Sequence, residues 1–270
     1  MKRIFSKFIA LVLLTVCISW IHCGKDSPTD SNGNVKNTDF VAADSFSFEV
    51  EIEDHIRLSL EGVNGDITIT GLSEASSVLI WGEKRVGSES TQDAEEHLNE
   101  LDVKVTDMQS EVSVKTIQPD QTYGRSYVVD YNITLPQNLE VVVANVNGMV
   151  SIDSINNSVS VANVNGQVKL DEIFGSTSVQ LVNGQIQAEV TLPTDGIIGM
   201  STVNGGIDLD IPQNTSAIFS AKVVNGTISI SDLVLNNPVS TPDSLAGTFG
   251  DGQGTISLNT VNGSISVSGF

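Results

Sequence analysis

The sequence predicts an all-β fold in which the chain winds into a parallel β-helix (β-solenoid), and three observations lead to it. The tripeptide Val-Asn-Gly occurs seven times, with its asparagines at 64, 147, 165, 183, 204, 225 and 262. The intervals between 147 and 225 are 18 to 21 residues, a period typical of solenoids. On both sides of each tripeptide, apolar and polar residues alternate as they do in β-strands.

The alternation has the same phase in every copy. Counted from the asparagine as position 0, positions −4, +3 and +5 are apolar in all seven copies, and position +4 is polar. The phase changes at the tripeptide, so the chain must bend there. Because Asn-Gly is also a strong hairpin signal, an antiparallel β meander or sandwich is the alternative fold. Apolar residues at +8, such as Ile155 and Ile173, break the alternation again, which favours a coil of three short sides.

The Asn-Gly pairs are predicted to form the repeated corner of this coil. Each asparagine would lie about 4.8 Å from its equivalent in the next rung, so we expect an internal ladder of hydrogen-bonded carboxamides. The following glycine permits a left-handed turn without the steric cost of a Cβ. We therefore interpret the corner residues as structural: Asn64, Gly65, Asn147, Gly148, Asn165, Gly166, Asn183, Gly184, Asn204, Gly205, Asn225, Gly226, Asn262 and Gly263.

Three segments are predicted along the chain. Residues 1–22 have the composition of an export signal, because a basic start precedes an apolar run over residues 8–21. Residues 23–39 form a polar tether, and residues 40–270 form the solenoid domain, with its most regular repeats over 141–235. Within the domain, Ser90 and Asp93 make a capping pattern that predicts one helix over residues 90–102. Prolines and glycines predict a loop over residues 236–254, in place of a rung.

Cys23 directly follows the apolar run. This arrangement resembles bacterial lipoproteins, in which such a cysteine is lipidated and becomes the first residue of the mature chain. Ordinary signal cleavage nearby is the alternative. The resemblance implies an exported protein of the cell envelope, at the outer membrane or the surface, held to the membrane by an N-terminal lipid.

The charge of the chain limits its partners. The sequence has 33 acidic and 13 basic residues, a formal net charge of −20. Such a surface repels phosphate backbones, so we expect no nucleic-acid partner. A solvated, self-repelling surface is the simplest interpretation of the acidity, and a surface that depends on divalent cations is the alternative.

The residues offer little for catalysis, and we predict no catalytic residue, cofactor or metal site. Beyond the predicted signal the chain has only two histidines, His55 and His97, which excludes zinc sites built from His and Cys. Five acidic residues are expected on the outer faces of strands, with weak calcium binding or carboxylate-pair hydrolysis as alternatives: Asp153, Asp171, Glu172, Asp208 and Asp210.

The aromatic residues cluster before the regular repeats. Tyr127 and Tyr131 share the apolar face of one predicted strand, so we expect them in the core. Trp81 and Tyr123 are the remaining candidates for a binding patch.

Residues 60–69, residues 131–136 and the glycine-rich run into residues 256–265 together resemble a known bacterial group, the "putative adhesin" domains built of β-strand repeats. That group is related to the head domain of autotransporter adhesins. The resemblance covers residues 40 to 270 and implies a right-handed β-helix exposed in the cell envelope. The adhesive role is nominal for most members, and the group supplies no catalytic residues.

The leading hypothesis is therefore a non-enzymatic, lipid-tethered envelope protein that mediates adhesion or protein–protein contact, with an unknown protein or glycan ligand. An envelope scaffold or stress-sensing accessory protein is the second hypothesis. An enzyme acting on polysaccharide is the third.

Overall fold

The computed structural model describes residues 39–270. The predicted signal, Cys23 and all of the predicted tether except its last residue lie outside the described residues. The described part contains one helix, α1 (Thr91–Leu98), and 21 strands. The strands are β1 (Phe40–Glu51), β2 (Arg57–Glu61), β3 (Ile67–Leu72), β4 (Ser77–Ser88), β5 (Asp102–Met108), β6 (Glu111–Ile117), β7 (Ser126–Pro136), β8 (Glu140–Asn147), β9 (Val150–Ile155), β10 (Val159–Asn165), β11 (Val168–Ile173), β12 (Thr177–Asn183), β13 (Ile186–Val190), β14 (Ile197–Asn204), β15 (Ile207–Ile211), β16 (Ala217–Asn225), β17 (Ile228–Ser231), β18 (Leu235–Thr241), β19 (Ser244–Phe249), β20 (Gly254–Asn262) and β21 (Ile265–Gly269).

These strands form two large sheets. The ten-stranded sheet has the order β1-β4-β7-β3-β9-β11-β13-β15-β21-β17, and the eleven-stranded sheet has the order β18-β19-β16-β20-β14-β12-β10-β8-β2-β6-β5. The central strands of both sheets pair in parallel. Antiparallel pairs occur at the ends, where β4 pairs with β1 and β7, β5 with β6, and β19 with β16 and β18. The all-β solenoid prediction agrees with this arrangement.

Each rung consists of one strand from each sheet. Seven rungs are joined at a Val-Asn-Gly corner, and the rung β6/β7 is joined by residues 118–125 instead. Equivalent residues of neighbouring rungs are in register, as Val143, Val161 and Val179 show. The expectation of three sides was wrong, because the second break in alternation is a bulge and not a further side. Ser154 and Glu172, at position +7, have φ of 58° and 49°, which turns the next residue, Ile155 or Ile173, back into the core.

The rungs do not stack in chain order, contrary to the expectation that successive coils lie on one another. The rung β2/β3 lies between β6/β7 and β8/β9, and the C-terminal rung β20/β21 lies between β14/β15 and β16/β17. The predicted loop over residues 236–254 was also wrong. It contains most of the β18–β19 hairpin, and Pro238 is tolerated there because β18 is an edge strand.

The space between the sheets is filled by the apolar side chains that the repeat predicts. The positions −4, +3 and +5 of the central copies are buried, and Phe219 packs against Phe249 at the C-terminal end with ring centroids 5.2 Å apart. Tyr127 and Tyr131 are only 1% and 2% exposed, which confirms them as core residues. Burial raises the pKa of Tyr131 to about 12.

Helix α1 covers the N-terminal end of the solenoid. Ser90 precedes it and accepts a hydrogen bond from the backbone N of Asp93, as the capping pattern predicts. The helix ends at Leu98 and not at residue 102, because Leu101 is buried and Asp102 begins β5.

Candidate interaction surface

The seven corner asparagines form a continuous hydrogen-bonded column, the asparagine ladder. Asn64 donates from Nδ2 to the backbone O of Tyr127 over 2.9 Å. Every later member donates from Nδ2 to Oδ1 of its neighbour over 2.7–2.8 Å, namely Asn147 to Asn64, Asn165 to Asn147, Asn183 to Asn165, Asn204 to Asn183, Asn262 to Asn204 and Asn225 to Asn262. Each carboxamide therefore links two rungs, which is a structural role.

The ladder is not internal, and that part of the prediction was wrong. Asn64, Asn147 and Asn165 are half-buried, and the remaining four members are exposed. The reason is the geometry of the corner, where the side chain at position 0 points along the edge between the two sheets. Water can therefore replace part of each lost bond if the ladder is interrupted.

The glycines of the corner are required by the approach of the neighbouring rung. A Cβ on Gly148, Gly166 or Gly184 would lie 2.0–2.1 Å from the carbonyl oxygen of the preceding corner glycine in the stack. Gly226 lacks the positive φ of the other six, but its Cβ would still lie 1.8 Å from the oxygen of Gly263. The corner therefore requires glycine for two reasons, the left-handed turn that the sequence predicts and the close approach of the neighbouring rung.

A second polar column, at position −2, was missed by the sequence analysis. Asn163 is 2% exposed and donates from Nδ2 to the carbonyl oxygen of Gly148 over 2.9 Å, and Thr260 donates from Oγ1 to that of Gly205 over 2.9 Å. These side chains satisfy corner carbonyls from inside the solenoid. A signal was available, because Asn145, Asn163, Thr202 and Thr260 stand at a position that the alternation places inward.

The outer face of the ten-stranded sheet carries a line of carboxylates, the acidic column of Asp153, Asp171, Glu189 and Asp210. Asp171 is in register with Asp153, and Glu189 with Asp210. Partial burial raises the pKa of Glu189, and the charges of Asp171, Asp210 and Glu172 raise it further. Lys169 reaches Asp171 at 3.1 Å. Asp208 lies on the same outer face at position +4, two residues before Asp210 of the column, as the sequence predicts. Its Oδ2 accepts a hydrogen bond from Gln185.

The outer face of the eleven-stranded sheet is different in kind. On β8, β10, β12, β14 and β20 its outward positions −5, −3 and −1 form the uncharged face, made of Val142, Ala144, Val146, Ser160, Ala162, Val164, Ser178, Gln180, Val182, Gly199, Ser201, Val203, Ser257, Asn259 and Val261. None of these side chains is ionisable, and most are small. The net charge of the chain is therefore distributed away from this surface.

The valine of every Val-Asn-Gly tripeptide points outward on this side and not into the core. In rung order these residues form the valine stripe of Val63, Val146, Val164, Val182, Val203, Val261 and Val224. Val203 is 41% exposed and Val224 68%. Val63, Val146, Val164 and Val182 are half-buried. Because none of the seven belongs to the buried core, core packing does not explain why the repeat has valine at this position.

The uncharged face ends in a groove of about 680 Å³ at the C-terminal end of the solenoid. Its floor contains Val203, Val224 and Val261 with Lys222 and Asn259, and the turn of the β18–β19 hairpin forms its wall. Thr241, Asp243 and Ser244 belong to that turn. The groove thus joins the valine stripe to one basic and one acidic side chain.

The aromatic candidates lie elsewhere. Trp81 is 40% exposed on β4, and Tyr123 is 72% exposed in the connection before β7. Trp81 pairs with Ser47 and Asn132 within the ten-stranded sheet. Neither residue is part of the uncharged face or its groove.

The ionisable groups near α1 hold the N-terminal end together. Arg125 makes a two-point contact with Asp93, at 2.7 Å for each nitrogen–oxygen pair, and Ser88 donates a hydrogen bond to the same carboxylate. The hydrogen bonds from Arg125 hold the pKa of Asp93 well below its usual range. Tyr127 donates to Glu100 over 2.8 Å.

The two histidines also contact carboxylates at this end. His55 Nε2 lies 2.8 Å from Asp107 Oδ1. His97 Nδ1 lies 3.6 Å from Asp93 Oδ1 and 2.8 Å from the backbone O of the same residue. Within residues 39–270, no group of three or more His, Cys, Asp or Glu residues is arranged to hold a metal ion. In the same residues no helix has the length and apolar character needed to cross a membrane.

Comparison with known proteins identifies the domain. A family model described as Toastrack DUF4097 matches residues 49–268. None of the curated proteins that were compared matches the chain.

The solved structures that match the chain share little sequence with it. A "putative cell adhesion protein" from Clostridium sporogenes is 15% identical, with 85% of this chain and 100% of that chain covered and a TM-score of 0.46. A "putative adhesin" from Bacteroides fragilis is 11% identical, with 83% and 97% covered and a TM-score of 0.32. A "putative lipid binding protein" from Parabacteroides distasonis is also 11% identical, with 84% and 95% covered and a TM-score of 0.32.

Proposed function

The chain belongs to the Toastrack DUF4097 family, and we propose that it is a non-enzymatic, adhesin-like protein of the cell envelope that works by protein–protein contact. The contact is made by the uncharged face of the eleven-stranded sheet and its groove. Catalysis has no part in this function. The described histidines, His55 and His97, contact carboxylates at the N-terminal end, away from this face.

The observation that carries the proposal is the contrast between the two outer faces. A protein of net charge −20 repels most partners in an acidic envelope through long-range electrostatics. The uncharged face is the surface where this repulsion is weakest, and its valine stripe provides apolar area that association can bury. The acidic column, on the opposite sheet, keeps the rest of the molecule solvated.

The location of the protein is part of the same proposal. The export signal over residues 1–22 and lipidation of Cys23 would tether the solenoid to the outer membrane or the cell surface, with residues 23–39 as a spacer. Protease treatment of intact cells tests the surface location. Digestion of the solenoid on whole cells supports it, and protection until the outer membrane is broken refutes it.

The handedness of the coil and a more distant family relation are also proposed. Parallel strands joined through another strand have right-handed crossovers in nearly all proteins, so the coil is expected to be right-handed. A relation to the head domain of autotransporter adhesins is proposed from the repeat pattern of the sequence.

The functional test is a binding array of matrix proteins and glycans, probed with the full chain in detergent, with and without calcium. Two matched variants place one carboxylate on each outer face. Ala162→Glu lies at position −3 of β10, on the uncharged face, and Ser151→Glu lies at position +4 of β9, on the other face. We expect Ala162→Glu to abolish binding to protein ligands and Ser151→Glu to preserve it. Equal effects of the two variants would place the contact elsewhere, and binding only with calcium would favour the acidic column.

A further inference from the structure

The eleven-stranded sheet carries a symmetrical arrangement of charge along the solenoid axis. At position −3 in successive rungs, the outward residues are Lys115, Glu61, Ala144, Ala162, Gln180, Ser201, Asn259 and Lys222. Beyond Lys222 lies Ser244 of β19, in the turn that contains Asp243. The face is thus neutral in the middle and charged at both ends. Counted inward from the N-terminal end, a positive residue (Lys115) precedes a negative one (Glu61), whereas counted inward from the C-terminal end the negative residue (Asp243) precedes the positive one (Lys222).

This order of charges is complementary to the same order reversed, as it is in a second molecule turned end to end. Strand β12 is the centre of the face, because three strands lie between it and β6 and three between it and β19. A rotation of 180° about an axis parallel to β12 therefore places Gln180 opposite Gln180 of the second molecule. The same rotation places Glu61 opposite the second molecule's Lys222. It also places Lys115 opposite the turn that carries Asp243. Glu61 and Lys115, which form an ion pair of 2.7 Å within their own chain, then each face a group of opposite sign. Lys104, in register with Lys115 on the edge strand β5, faces the uncharged β18.

We propose that the uncharged face docks a second copy of this chain, face to face, with the two solenoid axes antiparallel. This inference rests on the proposed function, since it names the protein partner of the same face. The valine stripes meet along their length, with Val182 at the two-fold axis and Val63 opposite Val224. The small residues at positions −5 and −3 allow the two sheets to approach closely.

The available area is sufficient for a stable dimer. From β6 to β19 the sheet spans eight strand intervals, or about 38 Å at about 4.8 Å each. The seven residues of a central strand such as β10 or β12 extend about 23 Å. The product is roughly 870 Å² for each molecule, close to the roughly 800 Å² per partner of a standard interface.

The acidity of the chain does not oppose this arrangement. In the dimer, the two acidic columns lie on the outermost of four stacked sheets. Sheets pack about 10 Å apart, so the columns are about 30 Å from each other, compared with a Debye length of about 8 Å at physiological salt. Salt therefore screens the repulsion between the columns, while the end charges of the docked faces are in direct reach.

Sedimentation velocity on the full chain in detergent is the first test, and it should show a dimer. Charge-exchange variants then test the arrangement. Lys222→Glu and Glu61→Lys should each weaken dimerisation about tenfold, because each sets two like pairs in place of two opposite pairs. The double variant should restore dimerisation. Lys169→Glu, on the opposite sheet, is the control and should leave it unchanged.

Single cysteines with a short bismaleimide cross-linker fix the orientation, because faces about 10 Å apart are too distant for a disulfide. Val182→Cys should cross-link to itself. Val224→Cys should not, but it should cross-link when mixed with Val63→Cys. The chain without an added cysteine measures the background from Cys17 and Cys23.

A monomer at all concentrations, or self-cross-linking of Val224→Cys, would overturn the antiparallel dimer. A monomer that binds an array ligand, and loses it with Ala162→Glu, would overturn self-docking but leave the proposed contact function standing. A monomer that binds nothing would overturn both. A dimer whose double charge variant does not recover would also overturn the proposed pairing.

Discussion

Replacing Gly184 by alanine probes the contact that holds neighbouring rungs together. Gly184 lies at the corner after β12, with φ of +142°, and a Cβ added there would lie 2.0 Å from the carbonyl oxygen of Gly166 and 2.7 Å from its carbon. Both atoms belong to the backbone of the next rung, so no side-chain rotation can relieve the overlap. The corner must open, or the two rungs must separate.

The expected cost combines two effects. A non-glycine residue in such a backbone region costs about 1–3 kcal/mol, and forcing packed elements apart costs about 1–3 kcal/mol. We therefore expect Gly184→Ala to lower the free energy of unfolding by roughly 2–6 kcal/mol. For a domain of this size, a change of 1 kcal/mol shifts the thermal midpoint by about 2–4 °C, so the midpoint should fall by roughly 4–24 °C.

The matched control is Gly199→Ala, on the outer face of β14. A Cβ at Gly199 has no atom within 4 Å, and alanine in an extended strand restricts the unfolded chain, so its midpoint should be unchanged or slightly higher. Differential scanning calorimetry and urea unfolding measure both variants. If Gly184→Ala unfolds at the same temperature as Gly199→Ala, close packing of rungs at the corner is not what requires glycine.

Three further predictions concern the ladder and the ionisable groups. Asn183→Val removes two ladder bonds and should lower the free energy of unfolding by about 1–2 kcal/mol. Asn225→Val, at the end of the ladder, removes one bond and should lower it by about half as much. Urea unfolding measures both, and equal losses would contradict a continuous ladder. Glu189→Gln should raise the free energy of unfolding at pH 7, because the raised pKa of Glu189 makes its charged form unfavourable in the folded protein. The gain should shrink as the pH falls through the raised pKa and should be gone below the usual glutamate pKa of about 4.3. A gain that does not change with pH would refute this cause. The pKa of Asp93 is lowered, so its charged form stabilises the folded protein. This stabilisation is present above the usual aspartate pKa of about 3.9 and is lost as the pH falls below it. Wild type should therefore lose more stability than Asp93→Asn in an acid titration followed by circular dichroism, and parallel curves would refute the pairing with Arg125.

Much of the solenoid could be predicted from the repeat, because its pattern is local. The inward positions −4, +3 and +5, the bend at Val-Asn-Gly and the side-by-side asparagines all follow from strand alternation and a constant period. Tyr127 and Tyr131 could be assigned to the core for the same reason. The N-cap of α1 was predictable because Ser90 and Asp93 are three residues apart, within one turn.

The rest depends on contacts between segments that are distant in sequence. The sequence places Asn262 at the end of the series, yet in the stack it lies between Asn204 and Asn225. The repeat has the same pattern in each copy, so every rung fits every other, and periodicity cannot choose their order. The β18–β19 hairpin makes that choice, because it pairs with β16 on the side away from β20.

The candidate interaction surface shows the same division. The valine of the repeat and the shortage of acidic residues in β8, β10, β12, β14 and β20 can be counted in the sequence, but their meaning depends on which way the side chains point. The sequence by itself determined the coil, its corner and its acidity, because these are properties of each rung. Only the tertiary structure decided the order of the rungs and gathered the neutral positions on one face, because stacking turns a repeated residue into a continuous surface.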